Sequence, residues 1–146
     1  MRTEVLIENR QRVKVDRRRL VKAVRRSLRI EGIDRSVEVS IVLTDDEEIR
    51  TLNKAYRGKD RATDVLAFSQ VEGEPVPEGE WPTPLGDVVI SVKTAMKQAE
   101  ERGHCFDDEL ELLVVHGILH LLGYEDETVA GVAAMRKREK AIVSLN

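Results

Sequence analysis

A single cysteine, Cys105, is all this chain carries, so no disulfide can close within it and neither a redox pair nor a cysteine metal cluster can be built. A reducing compartment suits such a chain. Aromatic residues are unusually scarce at 3%, but hydrophobic residues make up 41% and charged residues 35%, a balance that excludes a disordered polar chain and a membrane protein alike. No apolar run approaches the roughly 20 residues of a membrane helix. The first stretch, MRTEVLIENRQRVKV, has no apolar signal core. The expectation is a cytoplasmic protein without membrane contact. Its 146 residues are enough for one core, so residues 1–146 are expected to form a single domain.

Charge is present in both signs and unevenly spread. The net charge is −3, yet residues 1–30 hold eleven Lys/Arg against three Asp/Glu, and the rest holds thirteen against twenty-four. A basic segment on an acidic body can dock phosphates locally while the protein as a whole avoids indiscriminate binding to nucleic acid. The bland alternative is a solvated basic helix.

Residues 3–8 and 37–43 alternate apolar and polar positions as half-buried strands do. A helix is expected between them, capped by Asp16, with Leu20, Val24 and Leu28 on one face. Arg18, Lys22, Arg25 and Arg29 form a stripe on roughly the opposite face. Thr44-Asp-Asp-Glu47 reads as a capping box that starts a helix running to about Ala55. Strands are expected at 64–70 and 86–91, and all four prolines fall between Gln70 and Gly86, so that Pro/Gly/Glu-rich stretch reads as a mobile loop. Helices are expected over 92–102, ending at Gly103, from Asp107 or Asp108 to Leu122, and over about 128–143. The sum is an α+β fold: one small mixed four-stranded sheet covered by about five helices.

Val114-Val-His-Gly-Ile-Leu-His-Leu-Leu-Gly-Tyr-Glu-Asp-Glu127 carries the most chemistry. On a helix, His116 and His120 stack on one face about 5–6 Å apart, where two imidazoles can reach one zinc-sized ion. The flanking residues are apolar on nearly every side, so the helix is buried, and buried imidazoles need partners. Gly123 favours a left-handed turn that brings the chain back toward Asp126. His-x-x-x-His-x-x-Gly-x-x-Asp has the layout of the metzincin site on its metal-site helix, with a carboxylate in place of the third histidine. Glu125 and Glu127 are rivals for that place. Without an ion, the pair would be structural. His104-Cys105 reads as a solvent-facing turn between helices.

His116-Gly-Ile-Leu-His120-Leu-Leu-Gly123-Tyr124 resembles the signature of the YbeY ribosomal-RNA maturation proteins. Asn53-Lys-Ala-Tyr-Arg57-Gly-Lys-Asp60-Arg-Ala-Thr63-Asp64-Val-Leu-Ala-Phe68-Ser69 resembles the family's second block, and Leu85-Gly-Asp87-Val-Val-Ile-Ser91 its third. The resemblance spans essentially the whole chain. It implies a metal bound by the histidine motif, for which the spacing of the two histidines makes zinc the expected ion, single-strand-specific endoribonuclease activity in ribosomal RNA processing at the 3′ end of the small-subunit RNA, and a part in ribosome quality control. Partners implied are the small ribosomal subunit and its RNA, together with a ribosomal protein or an assembly GTPase. The family usually ends its motif with Asp-His; here Glu125-Asp126 stands in that place.

Phosphodiester hydrolysis needs an activated water and positive charge near the phosphate. Arg57, which aligns with the arginine of the second block, is the first choice for a catalytic or substrate-holding side chain, and Lys59 is a further phosphate ligand. The alternative is that Arg57 pairs with Asp60 or Asp64. Thr63 and Asp64 are expected to shape the turn into the third strand. Two other functions fit parts of the pattern: a non-catalytic ribosome-assembly factor with a structural metal, and a metalloprotease. The protease is disfavoured because Gly117 stands where those enzymes carry a glutamate base.

Overall fold

A computed structural model describes residues 2–71 and 82–143. Its elements are β1 (Thr3–Asn9), α1 (Arg17–Ile30), β2 (Val37–Thr44), α2 (Asp46–Arg57), β3 (Val65–Ser69), β4 (Thr83–Ser91), α3 (Val92–Arg102), α4 (Phe106–Leu121) and α5 (Val129–Val143). One sheet runs in the order β1-β2-β4-β3. β1, β2 and β4 are parallel, and β3 is an antiparallel edge. The expected mixed four-stranded α+β architecture is the observed one. Most of the proline-rich stretch, residues 72–81, lies outside the described residues.

Strand periodicity decides which side each residue faces. Val37, Val39, Ile41 and Leu43 of β2 and Val88 and Ile90 of β4 are fully buried in the main core with Leu20, Val24 and Leu28 of α1 and the apolar residues of α4. Val89, one residue out of phase, turns to the other face and packs with Ile49 of α2 and Leu66 of β3. The sheet therefore has α1 and α4 on one side and α2 on the other. At about 25 cal/mol per Å² of apolar surface, such a buried aliphatic face is the dominant stabilising contribution.

Three boundaries differ from the sequence reading, each for a local reason. Asp45, not Thr44, caps α2, its carboxylate accepting the Glu48 amide at 2.8 Å, while the Thr44 hydroxyl donates to the Glu48 side chain. α4 begins at Phe106, with Cys105 at the cap and no side-chain capping bond, so neither Asp107 nor Asp108 starts it. β4 begins at Thr83 and includes Pro84, which sits beside a register shift between Glu38 and Val39, before β3 has begun to pair. There the missing amide interrupts no regular ladder.

The α2 cap also sets an acid response. Hydrogen bonds from the Thr44 hydroxyl and the Arg10 guanidinium hold the Glu48 carboxyl below the ordinary glutamate value. A depressed carboxyl contributes stability that is present above the unfolded value, about 4.3, and lost as pH falls through the folded value. Glu48 is 38% exposed, so screening limits the contribution to less than about 1 kcal/mol. Urea denaturation should show Glu48→Gln less stable than the native chain at neutral pH, with the gap closing below about pH 4. A gap independent of pH would mean that the ionised carboxylate is not what stabilises the cap.

Candidate metal centre

The centre is built on α4, the most enclosed helix of the fold. Leu110, Leu113, Val114, Val115, Ile118 and Leu119 are at most 3% exposed. Even two of its carboxylates are buried, and both are neutralised. Glu111 is held by Arg19 at 2.8 Å and Arg26 at 3.2 Å from α1. Glu109 is held by Arg102 at 3.0 Å and by His104 at 2.5 Å. His104 is therefore a half-buried hydrogen-bond partner of Glu109 as well as a turn residue, which corrects its solvent-facing reading.

His116 and His120 are half-buried on one face of this helix, ring centroids 4.7 Å apart. Their Nε2 atoms are 3.1 Å apart. Asp126 Oδ2 lies 3.6 Å from the His116 Nε2 and 3.4 Å from the His120 Nε2. Each Nδ1 is committed elsewhere, that of His116 to Glu139 and that of His120 to the Tyr124 carbonyl at 3.0 Å. Both acceptors fix the proton on Nδ1, so two Nε2 lone pairs and one carboxylate oxygen converge on the same point. A cation between them would satisfy all three acceptors at once. Donors at 2.0–2.1 Å from a tetrahedral zinc lie about 3.3 Å apart, which matches the observed triangle.

The loop after α4 decides which carboxylate faces inward. Gly123 has φ +102°, which side chains rarely adopt, and its amide donates to the His120 carbonyl at 3.0 Å. The reversed chain presents the Tyr124 carbonyl and the Asp126 carboxylate to the histidines. Tyr124 is in turn anchored by its hydroxyl, which donates to Glu31 at 2.5 Å. Glu125 is turned away, accepting the Glu127 amide and the Thr128 hydroxyl, each at 2.7 Å, ahead of α5. Asp126 is the acid that joins the pair, and Glu125 and Glu127 do not.

Electrostatics differ between the two rings. Burial, the largest single influence on His116, opposes its charged form, but the Glu139 hydrogen bond and the carboxylates of Glu139, Asp126 and Asp64 together raise its pKa above the ordinary value. Burial and then the neighbouring His116 lower that of His120, with Arg57 adding to the effect. An ordered pair with one ring kept neutral is suited to binding an ion.

Around the triangle lies a cavity of two lobes. The first, about 150 Å³, is lined by Arg57, Lys59, Arg61, Asp64, His116, His120 and Asp126. Arg57 closes α2, and Gly58 ends it in a left-handed cap. Asp60 is taken by Arg50 at 2.8 Å and Lys54 at 3.9 Å, and Asp64 accepts the Val65 amide at 2.7 Å and the Thr63 hydroxyl at 3.3 Å. Arg57 thus has no acidic partner among the described residues and faces the cavity as a free cation. The second lobe, about 250 Å³, shares Asp64, His116 and Asp126 and extends past Glu139, Leu112, Leu113, Val132, Met135, Arg102 and Arg136.

Arg18, Lys22, Arg25 and Arg29 line neither lobe. All four are exposed on α1, whereas Arg19 and Arg26 turn inward to Glu111. Sequence reasoning missed Glu139, Arg61 and Arg136. Arg61 lies inside the recognised second block, but Glu139 is 23 residues from His116 and only the packing of α5 on α4 reveals it. Gly117 faces the sheet: a Cβ there would lie 2.5 Å and 2.9 Å from the two Val88 methyl carbons. A glutamate base has no room at that position, which removes the protease arrangement.

An α+β sheet carrying a buried His-x-x-x-His helix, a returned carboxylate and a basic cavity defines the class of hydrolase-like proteins with a histidine-pair centre. Comparison with known proteins narrows the class. The family model for endoribonuclease YbeY matches residues 6–145. A protein named endoribonuclease YbeY from Caldanaerobacter subterraneus is 46% identical, covering 95% of this chain and 94% of that one. The one from Alkaliphilus metalliredigens is 42% identical over 99% and 96%. A solution structure of a Thermotoga maritima protein superposes with a TM-score of 0.57 at 26% identity, covering 98% of this chain and 90% of that one. The chain belongs to the YbeY endoribonuclease family.

Proposed function

We propose that this chain is a metal-dependent endoribonuclease that cuts single-stranded RNA during ribosomal RNA processing, at the 3′ end of the small-subunit RNA, and in ribosome quality control. Residues 1–146 act as one cytoplasmic domain holding one zinc ion. The observation that carries the reading is the convergence of His116, His120 and Asp126 on one point within a cavity that also holds Arg57, a cation with no acidic partner among the described residues. The relatives' shared name supports RNA as substrate.

His116, His120 and Asp126 would hold the ion; Glu139 and the Tyr124 carbonyl keep the two rings in the tautomer that binding needs. When bound, such an ion supplies Lewis acidity, which turns water into a nucleophile near neutral pH. Arg57 grips two oxygens of the scissile phosphate and offsets the negative charge that grows as the phosphorus becomes pentacovalent. Lys59 and Arg61 draw the neighbouring phosphates into the same lobe. Arg57→Ala should keep its metal and its thermal midpoint but cleave single-stranded RNA roughly 100-fold more slowly, the loss typical of one charge-stabilising donor. Unchanged cleavage by this variant would leave the reading without its catalytic arginine and favour an assembly factor with a structural metal.

The α1 stripe serves docking on the small subunit. Arg18, Lys22, Arg25 and Arg29 are exposed and lack acidic partners among the described residues. Charge reversal at two of them should weaken RNA binding and flatten its salt dependence by about one logarithmic unit for each phosphate that the stripe no longer neutralises. Unaltered affinity and slope would identify the stripe as a solvated face.

A further inference from the structure

The two lobes of the cavity meet at the candidate metal centre and differ in chemistry. In the first, Arg57, Lys59 and Arg61 are cations without acidic partners among the described residues, as a phosphate track requires. In the second, aliphatic side chains, Leu112 and Leu113 on α4 and Val132 and Met135 on α5, share the wall with charged ones. Its cations are fewer and partly spent, because Arg102 is engaged by both oxygens of Glu109 at 3.2 and 3.0 Å. Carboxylates of Asp64, Asp126 and Glu139 border the same space. A phosphate entering here would lose hydration against aliphatic side chains and meet Glu139 in addition to Asp64 and Asp126, which border both lobes. A neutral, planar base would instead bury its face on those side chains and turn its polar edge to Glu139 and Arg136.

We infer that this second lobe is a nucleobase pocket that receives one unpaired base next to the scissile phosphate. The inference rests on reading the chain as an RNA-cleaving enzyme and supplies the reason it acts on single strands. A base already paired cannot leave the helix to enter the lobe without losing its pair and stack. Phosphates run through the arginine lobe, the base turns into the aliphatic one, and the scissile bond lies between them at His116 and Asp126. Arg136, exposed on α5 without an acidic partner among the described residues, sits at the rim and orients the base edge.

The test uses a single-stranded RNA with one cleavable bond and a set of copies in which one abasic ribonucleotide is moved through successive positions. One position beside the bond should lower kcat/KM about 10-fold, the order expected for burying part of one base against aliphatic side chains, with much smaller effects elsewhere. Val132→Phe, which fills the lobe, should cleave the intact RNA more slowly and lose the penalty at that position. Arg136→Ala, at an exposed site that leaves the core untouched, should shrink the same penalty. 2-Aminopurine placed there should brighten on binding the native protein, because the base leaves its stacked neighbours for a wall without Phe, Tyr or Trp, and should not brighten with Val132→Phe. Equal cleavage of every abasic copy, or a Val132→Phe protein that discriminates as the native one does, would overturn the pocket. Failure to cut any RNA would instead count against the endoribonuclease reading, and the pocket would then stand or fall on the position-specific brightening.

Discussion

His120→Ala should abolish stoichiometric metal binding and reduce cleavage of single-stranded RNA by at least about 100-fold, because removing even a group that only orients a metal ligand costs 10–100-fold. His116→Ala should do the same. Each substitution takes one corner from the triangle in which the Nε2 atoms lie 3.1 Å apart and face a single Asp126 oxygen. Glu139→Ala should be milder, since it leaves all three corners in place and frees only the His116 ring to turn. Stability should follow the metal. An ion present at about 100 times its dissociation constant stabilises the folded state by roughly 2.7 kcal/mol, so chelation should lower the native midpoint by several degrees. His120→Ala should show no chelator response at all. If the alanine variants retain metal and the native midpoint ignores chelation, the pair is a structural feature of α4.

Asp126 is expected to replace the third imidazole of the family's usual motif, and its variants should behave oppositely to those of its neighbour. Asp126→Ala should lose most bound metal and cleavage, whereas Glu125→Ala should keep both. Glu125 is occupied with the Glu127 amide and the Thr128 hydroxyl ahead of α5, so its loss should show as a loosened turn and a slightly lower thermal midpoint with the metal retained. Asp126→His should restore binding, because an imidazole there can reach the same point. A carboxylate is a harder ligand than imidazole and adds negative charge, so the native site should exchange its ion more readily and accept manganese or magnesium in competition with zinc more than the Asp126→His protein does. Metal retained by Asp126→Ala but lost by Glu125→Ala would reverse the assignment.

Much of this site was legible because it is local. The spacing of His116 and His120, the turn at Gly123 and the position of Asp126 depend on helix geometry and one backbone conformation, both written in adjacent residues. The α1 stripe was legible for the same reason: helical spacing separates the exposed Arg18, Lys22, Arg25 and Arg29 from Arg19 and Arg26, which turn inward. What α4 does with Glu109 and Glu111 was not legible. In a run of leucines and valines they read as breaks in an apolar surface, and their neutralisation by Arg102, His104, Arg19 and Arg26 depends on how α1 and α3 pack. Glu139 was hidden likewise, since nothing near it in sequence marks it as the partner of His116. The α2 cap moved by one residue because Thr44, Asp45 and Asp46 are all competent caps, and the sheet that ends at Thr44 decides among them.

The most direct measurement is to titrate zinc into demetallated protein while following cleavage of a fluorescent single-stranded RNA and the metal retained after gel filtration. Cleavage should be near zero at the start, rise in proportion to added metal and level off at about one equivalent, with His120→Ala flat throughout and duplex RNA of the same sequence uncut. Full cleavage by the demetallated protein, or a protein that retains one equivalent and cuts neither substrate, would contradict a metal centre for RNA hydrolysis at His116, His120 and Asp126.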